Sequence, residues 1–150
     1  MTFHLAQVNI ARAKAPLDSP LMAGFVDGLA EMNALADHSP GFIWRLMTDG
    51  GDATAVRAYD DPRIIFNLSV WASVDALKTY AYRTEHAKFF ARRDEWFEKT
   101  PTAHLALWWI TAGTIPTVGD ATSRLAHLAT HGPTAHAFTF RNPFVAPAEP

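Results

Sequence analysis

The chain has 150 residues with 13 basic and 15 acidic side chains, which gives a formal net charge of -2. This length favours a single domain, and the charge balance lacks the basic surplus typical of nucleic-acid-binding proteins. The absence of cysteine excludes disulfides, cysteine-ligated metals and thiol nucleophiles. No apolar run reaches the ~18 residues of a membrane span, and the first residues lack the pattern of a secretory signal. We therefore expect a cytoplasmic protein that binds neither nucleic acid nor membrane.

Regular elements follow one another in the order β-α-β-β-α-β, and a further helix and short strand come after them. The predicted strands cover 3–10, 41–47, 63–71, 104–111 and 137–141. The predicted helices begin after the capping residues Ser19, Ser73, Thr84 and Thr117. The first six elements have the split βαβ pattern of a ferredoxin-like sandwich. We therefore predict one α+β domain over 1–144, followed by a disordered tail over 145–150.

The strand predicted over 63–71 has one apolar face and one mixed face, because side chains alternate along a strand. The apolar face, which we expect to meet the helices, consists of Ile64, Phe66, Leu68 and Val70. The mixed face consists of Ile65, Asn67, Ser69 and Trp71. The first strand has a similar mixed face, which contains Gln7 and Asn9. Amide, hydroxyl and aromatic groups together are typical of small-molecule pockets, and the alternative is a dimer interface with satisfied hydrogen bonds.

The helix predicted from Thr84 to about Glu98 carries a second set of candidate residues. The residues that share one face at helical spacing are His86, Phe90, Arg93 and Phe97. Histidine transfers protons near neutral pH, and arginine can clamp a carboxylate or a developing oxyanion. The alternative is that Arg93 lies along the surface and His86 caps the start of the helix.

These patterns predict a cavity for a small, flat, partly polar molecule. The predicted catalytic residues are His86, Arg93 and Asn67. The predicted binding residues are Asn9, Arg45, Ser69, Trp71, Trp96 and Trp108, with Trp109 as the alternative to Trp108. We also predict a homodimer in which two sheets meet through the faces that carry Asn9, Asn67 and Trp71.

Several segments also resemble a known family. The segments are Leu68-Ser69-Val70-Trp71, Thr84-Glu85-His86, Gly41-Phe42-Ile43-Trp44-Arg45-Leu46, Arg93-Asp94-Glu95-Trp96-Phe97 and Leu107-Trp108-Trp109. Over nearly its whole length the chain resembles domain-of-unknown-function family 3291, within the antibiotic-biosynthesis monooxygenase-like superfamily of dimeric α+β barrels. The resemblance implies a monooxygenase-like oxidoreductase, cofactor-independent or haem-dependent, that acts on a small flat or aromatic substrate. The alternatives are a non-catalytic ligand- or haem-binding dimer and a purely structural dimerisation module.

The resemblance also suggests where a cofactor would be held. Haem-degrading relatives use an Asn on the first strand, a Trp on the third and a His on the second helix. Asn9 and Trp71 match the first two positions, but Phe90 occupies the third. We therefore expect no cofactor, with haem as the alternative and His86 as its axial ligand.

A pair of histidines near the C-terminus has the spacing of a two-His metal site. His127 and His131 are four residues apart on the last predicted helix. Because no third ligand lies nearby in the sequence, we predict that they are surface histidines and that the chain holds no metal of its own.

Overall fold

The structure, a computed structural model, describes residues 2–48, 51–52, 54, 56–99 and 103–147. Its strands are β1 (Phe3–Arg12), β2 (Phe42–Arg45), β3 (Ile64–Trp71) and β4 (Leu105–Thr111). Its α-helices are α1 (Ala23–Asp37), α2 (Val74–Arg83), α3 (Glu85–Ala91), α4 (Arg93–Trp96) and α5 (Val118–His131). Within the described residues the strands form a four-stranded antiparallel sheet in the order β2-β3-β1-β4. The predicted α+β, ferredoxin-like fold is therefore confirmed.

Side-chain caps explain where most of the helices begin. The Ser73 hydroxyl accepts a hydrogen bond from the Ala76 N–H at 3.1 Å, and Thr84 caps α3 in the same way. Thr117 and Asp120 form a reciprocal capping box at the start of α5. Ser19 is different, because its hydroxyl is buried and has no hydrogen-bond partner among the described residues. The chain therefore enters α1 through a 3-10 turn at Pro20–Met22 without a side-chain cap.

Both faces of the sheet are covered by helices of the same chain. The apolar face, which includes Ala6, Val8, Phe66, Leu68 and Trp108, packs against Ala121, Leu125 and Leu128 of α5. The mixed face, which includes Leu5, Trp71 and Leu107, packs against Ala36 of α1 and Leu77 of α2. The C-terminal helix therefore buries the face that the other helices were expected to cover. Trp71 is covered by α1 and α2 and is 1% exposed, so it does not face a partner sheet as predicted. Homodimer formation as such stays a prediction.

The predicted helix over 84–98 is divided into α3 and α4. Arg92 interrupts it with φ -89° and ψ 4°, a conformation outside the helical region. The interruption lets Trp96 reach a buried cluster with Ala13, Met22 and Phe25.

The C-terminal segment also differs from the prediction. Instead of a strand over 137–141, it forms an isolated bridge in which Phe138 and Leu107 exchange two backbone hydrogen bonds of 2.8 and 2.9 Å. After Phe138 the chain leaves the sheet edge. Of the predicted disordered tail, 148–150 lie outside the described residues. No helix in the described part of the chain is both long and apolar enough to cross a membrane.

Candidate functional site

The mixed face of β1 and β3 carries a continuous chain of side-chain hydrogen bonds. The register places Leu5 opposite Trp71, Gln7 opposite Ser69, and Asn9 opposite Asn67. Trp71 Nε1 donates to Ser69 Oγ at 3.0 Å, and Ser69 Oγ donates to Gln7 Oε1 at 2.8 Å. Gln7 Nε2 then donates to Asn9 Oδ1 at 2.7 Å. We call these four side chains the polar chain.

The indole of Trp71 sets the direction of the polar chain. Indole N–H can only donate, so Ser69 must accept from Trp71 and donate onward to Gln7. The amide of Gln7 then offers its N–H groups to Asn9. Every bond points the same way, and such bonds polarise one another in a buried setting. Asn9 is the last residue of the polar chain, and its Nδ2 group donates no hydrogen bond to any described residue.

Asn67 lies beside that end and faces a small cleft between α1 and the edge formed by β2 and β3. The polar side chains that line the cleft belong to Asn33, Arg45, Asp52, Thr54 and Asn67. The Asn67 amide is exposed, and it has no hydrogen-bond partner within the described ranges. The cavity has a volume of about 30 Å³, roughly that of one water molecule. In this conformation it is far smaller than the ~300 Å³ that ligand pockets start from.

Arg45 holds one wall of the cleft in place. Its Nε donates to Asp37 Oδ1 at 2.8 Å, and its Nη1 donates to the Gly51 carbonyl at 2.7 Å. The side chain is therefore engaged by the end of α1 and by the loop that follows β2. Arg45 therefore lines the cleft with its charge already paired, and its binding role stays a prediction.

Trp71 also begins a column of stacked rings that runs outward to the surface. Its ring centroid lies 5.1 Å from that of Tyr80, and Tyr80 lies 4.7 Å from His86. His86 is followed by Phe90 at 6.2 Å, and the Arg93 guanidinium lies 4.4 Å above the Phe90 ring. Three of the predicted site residues are thus connected through ring contacts, but the structure does not gather them around one cavity.

The position of the Nδ1 proton of His86 is defined by a hydrogen bond. Its Nδ1 lies 3.0 Å from the Ala81 carbonyl, which can only accept, so Nδ1 carries the proton. Burial lowers the pKa of His86, while the hydrogen bond to Ala81 acts in the opposite direction. Nε2 is left as an acceptor, which suits a base or an iron ligand. However, neither the cleft nor a second cavity lined by Pro133, Arg141 and Phe144 includes His86. Neither of these two cavities therefore offers haem a site at this ring.

Three predicted site residues lie elsewhere. Arg93 is exposed, and its Nη1 donates to the Phe90 carbonyl at 3.2 Å, so it adopts the surface position named above as the alternative. Trp96 is 2% exposed and belongs to the cluster between α1 and α4. Trp108 pairs with Ala6 and faces α5, whereas Trp109 pairs with Leu5 on the mixed face. Of the two tryptophans, Trp109 is therefore the one that shares a face with Trp71.

Two residues of the site were not among the predicted site residues. Gln7 is the central link of the polar chain, and its place on the mixed face was the signal that could have identified it. Tyr80 stacks on Trp71 and donates from its hydroxyl to the Met32 carbonyl at 3.0 Å, while burial raises the pKa of Tyr80 to about 12. The sequence feature that could have identified Tyr80 is its spacing of three residues from Leu77, which places both residues on the buried side of α2.

Comparison with known proteins is consistent with this geometry. Residues 4–150 match the family described as Domain of unknown function (DUF3291). The chain belongs to this family, as the sequence predicted. No curated protein matches the chain.

Several solved structures are similar in fold. PA3566 from Pseudomonas aeruginosa is 16% identical with a TM-score of 0.50, over 76% of this chain and 98% of that one. SnoaB, a cofactor-independent oxygenase from Streptomyces nogalater, is 19% identical with a TM-score of 0.48, over 76% and 98%. NE2512, a protein of unknown function from Nitrosomonas europaea, is 15% identical with a TM-score of 0.48, over 77% and 97%. At these identities the likeness concerns the fold alone.

Proposed function

We propose that this protein binds a small, flat or aromatic molecule at the outer end of the polar chain, between Asn9 and Asn67, and that it acts on it as a cofactor-independent, monooxygenase-like enzyme. The observation that carries the proposal is the common direction of the hydrogen bonds from Trp71 to Asn9. At the outer end of the chain, the Asn9 amide lies opposite the exposed Asn67 amide, so both are accessible to a ligand.

The chemistry that fits this end is stabilisation of negative charge on an oxygen atom. Asn9 Nδ2 and the Asn67 amide stand opposite each other on adjacent strands, so both can donate to one phenolate or enolate oxygen. Fixed donors directed at a developing oxyanion are worth roughly 2.7–4 kcal/mol each. Asn67 keeps the catalytic role predicted from the sequence, and Asn9 joins it as a donor.

Binding of a ring requires the cleft to widen, because its present volume of about 30 Å³ is too small for one. The wall that includes Asp52 and Thr54 carries no helix or strand. It is attached to β2 through the Arg45 bond to Gly51. Movement of this wall would admit the ligand without disturbing the polar chain on the sheet.

A non-catalytic ligand carrier is the second candidate, and the position of His86 favours it. The His86 ring is stacked between Tyr80 and Phe90 and does not line the cleft. An enzyme that uses His86 to move a proton would lose turnover in His86→Gln while keeping its ligand affinity. A carrier has no turnover and would keep its ligand affinity in His86→Gln.

The experiment that tests the site uses 2-naphthol, a flat phenol, as the probe. Asn67→Ala should weaken 2-naphthol binding by roughly two- to tenfold, since it removes one of the two donors. Ser123→Ala, at an exposed position on α5 that lines neither cavity, is the control and should bind as the unmodified chain does. Equal binding by both variants would contradict the proposed site.

A further inference from the structure

Three histidines meet at the C-terminal end of α5. His127 and His131 are one turn apart on the helix, and their ring centroids are 4.4 Å apart. His136, from the segment that follows, lies with its centroid 4.4 Å from that of His127. The sequence pattern brought the first two together, and the fold adds the third.

Arg124 fixes the state of His136. Its Nη1 donates to the His136 carbonyl at 2.8 Å and lies 3.0 Å from His136 Nδ1. Because a guanidinium can only donate, Nδ1 must offer a lone pair, and the His136 ring is neutral with its proton on Nε2. His127 Nδ1 is buried without a hydrogen-bond partner among the described residues. An unpaired nitrogen lone pair at that buried position costs less free energy than an unpaired N–H group would.

A metal ion does not explain the cluster. Among the described residues, no group of three or more His, Asp or Glu side chains is arranged to hold one. The Arg124 guanidinium also occupies the Nδ1 lone pair of His136, and its charge opposes a second cation there. The species that this cluster can take up is a proton.

The segment next to His136 covers the edge of the sheet. A tight turn closes between Thr134 and Ala137, and Phe138 then pairs with Leu107 of β4 and is fully buried. Further on, the Phe144 carbonyl accepts from Trp109 Nε1 at 2.8 Å. The segment 134–144 therefore contacts β4 at two points: Phe138 pairs its outer edge at Leu107, and Phe144 accepts from the Trp109 side chain.

We propose that Arg124, His127, His131 and His136 form an acid-sensitive clasp, which holds residues 134–144 on β4 when His136 is neutral and releases them when His136 is protonated. Protonation removes the acceptor of Arg124 Nη1 and places a positive charge 3.0 Å from the guanidinium. The neighbouring charged or titratable groups on α5 are Arg124, His127 and His131, with Asp120 acting on Arg124. The neighbouring β4 side chain, Trp108 under Arg124, is uncharged.

The direction of the pH effect follows from these contacts. Burial, Arg124 and His127 all lower the pKa of His136 from its ordinary value of 6.5. The released segment therefore takes up a proton at a higher pH than the docked one. Docking is at full strength above pH 6.5 and weakens as the pH falls from 6.5 through the lowered pKa.

Hydrogen exchange of the Leu107 and Phe138 amides tests the clasp, because these two amides bond each other's carbonyls. Between neutral pH and about pH 5, their protection should fall roughly tenfold more than that of the Ala6 amide in central β1. His136→Asn keeps an acceptor near the Nδ1 position and does not titrate, so its protection should not show this extra fall. His38→Asn, at an exposed histidine after α1, is the matched control and should behave as the unmodified chain.

Equal losses of protection in the unmodified chain and in His136→Asn would overturn the proposal. If His136→Asn does not fold, the NMR titration of the His136 ring in the unmodified chain decides the matter. A midpoint below 6.5 that rises in Arg124→Met supports the clasp. A midpoint at or above 6.5, or one that Arg124→Met leaves unchanged, overturns it.

Discussion

Trp71 Nε1 donates a hydrogen bond of 3.0 Å to the hydroxyl of Ser69, two residues earlier on the same face of β3. Both side chains are buried, Trp71 to 1% and Ser69 to 7% exposure. This contact makes a core tryptophan the first donor of a chain that ends at Asn9. The core packing of the sheet and the orientation of the candidate site are therefore set by the same residue.

Ser69→Ala should destabilise the protein. The substitution leaves Trp71 Nε1 and Gln7 Oε1 buried without their partners, which costs about 1–3 kcal/mol in the free energy of unfolding. Urea denaturation measures this quantity. Ser123→Ala, at an exposed position on α5, is the control and should change it little. A loss in Ser69→Ala no larger than in the control would show that the hydrogen bonds of the polar chain contribute nothing.

Tyr80→Phe should weaken the packing between α1 and α2 without disturbing the ring column. The change removes only the hydroxyl that donates to the Met32 carbonyl, at a cost of about 0.5–1.5 kcal/mol. Stacking on Trp71 and His86 is kept, so the tryptophan bands of the near-ultraviolet circular dichroism should stay nearly the same, while the tyrosine contribution of Tyr80 is lost. Changed tryptophan bands would mean that the hydroxyl, and not the packing, positions the ring.

His86 should make the stability depend on pH in a defined window. Its folded pKa lies below the ordinary 6.5 because the ring is buried, so the unfolded chain binds its proton first as the pH falls. The stability contributed by the neutral ring is fully present above pH 6.5 and is lost as the pH falls through the folded pKa. In His86→Gln this part of the pH dependence should disappear from the urea midpoints. An unchanged profile would contradict the buried, neutral assignment.

Arg93→Ala and Trp96→Ala should affect stability very differently, although both residues of α4 were predicted to belong to the site. Arg93 is exposed, and within the column of rings it contacts the Phe90 ring. Its removal should therefore change stability and 2-naphthol binding little. Trp96 fills the cluster with Met22 and Phe25, so its removal should cost about 3–5 kcal/mol. Thermal denaturation compares the two. A large loss of binding in a folded Arg93→Ala variant would restore the role predicted from the sequence.

The sequence predicted the four observed strands because alternation is a local signal, but the fifth strand expected over 137–141 is an isolated bridge. It separated the two faces of β3 correctly, yet it could not tell which helices would cover each face. That depends on α5, whose apolar residues Leu125 and Leu128 occupy the face expected for the earlier helices. Trp108 was preferred to Trp109 as a binding residue for the same reason. Alternation shows which side chains share a face of the sheet, but it does not show which elements cover that face.

The parts of the site that the sequence missed depend on long-range contacts. The break at Arg92 follows from the burial of Trp96 against Phe25, a residue of α1 far away in sequence. His136 joins His127 only because the turn at Thr134 folds the chain back on α5. Neither contact produces a periodic pattern in the sequence, whereas Asn9, Asn67 and Trp71 were predicted as site residues from strand alternation, and they share one face of the sheet.

The most direct test of the proposed site follows the side-chain NH₂ groups of Asn9 and Asn67 by NMR during titration with 2-naphthol. Both signals should shift together and saturate, and in Gln7→Glu the Asn9 shift should be lost. A carboxylate at position 7 can only accept, so Asn9 would have to turn its Nδ2 inward, away from the ligand. If the two signals do not move while others do, or if Gln7→Glu responds as the unmodified chain does, the polar chain does not orient a binding site.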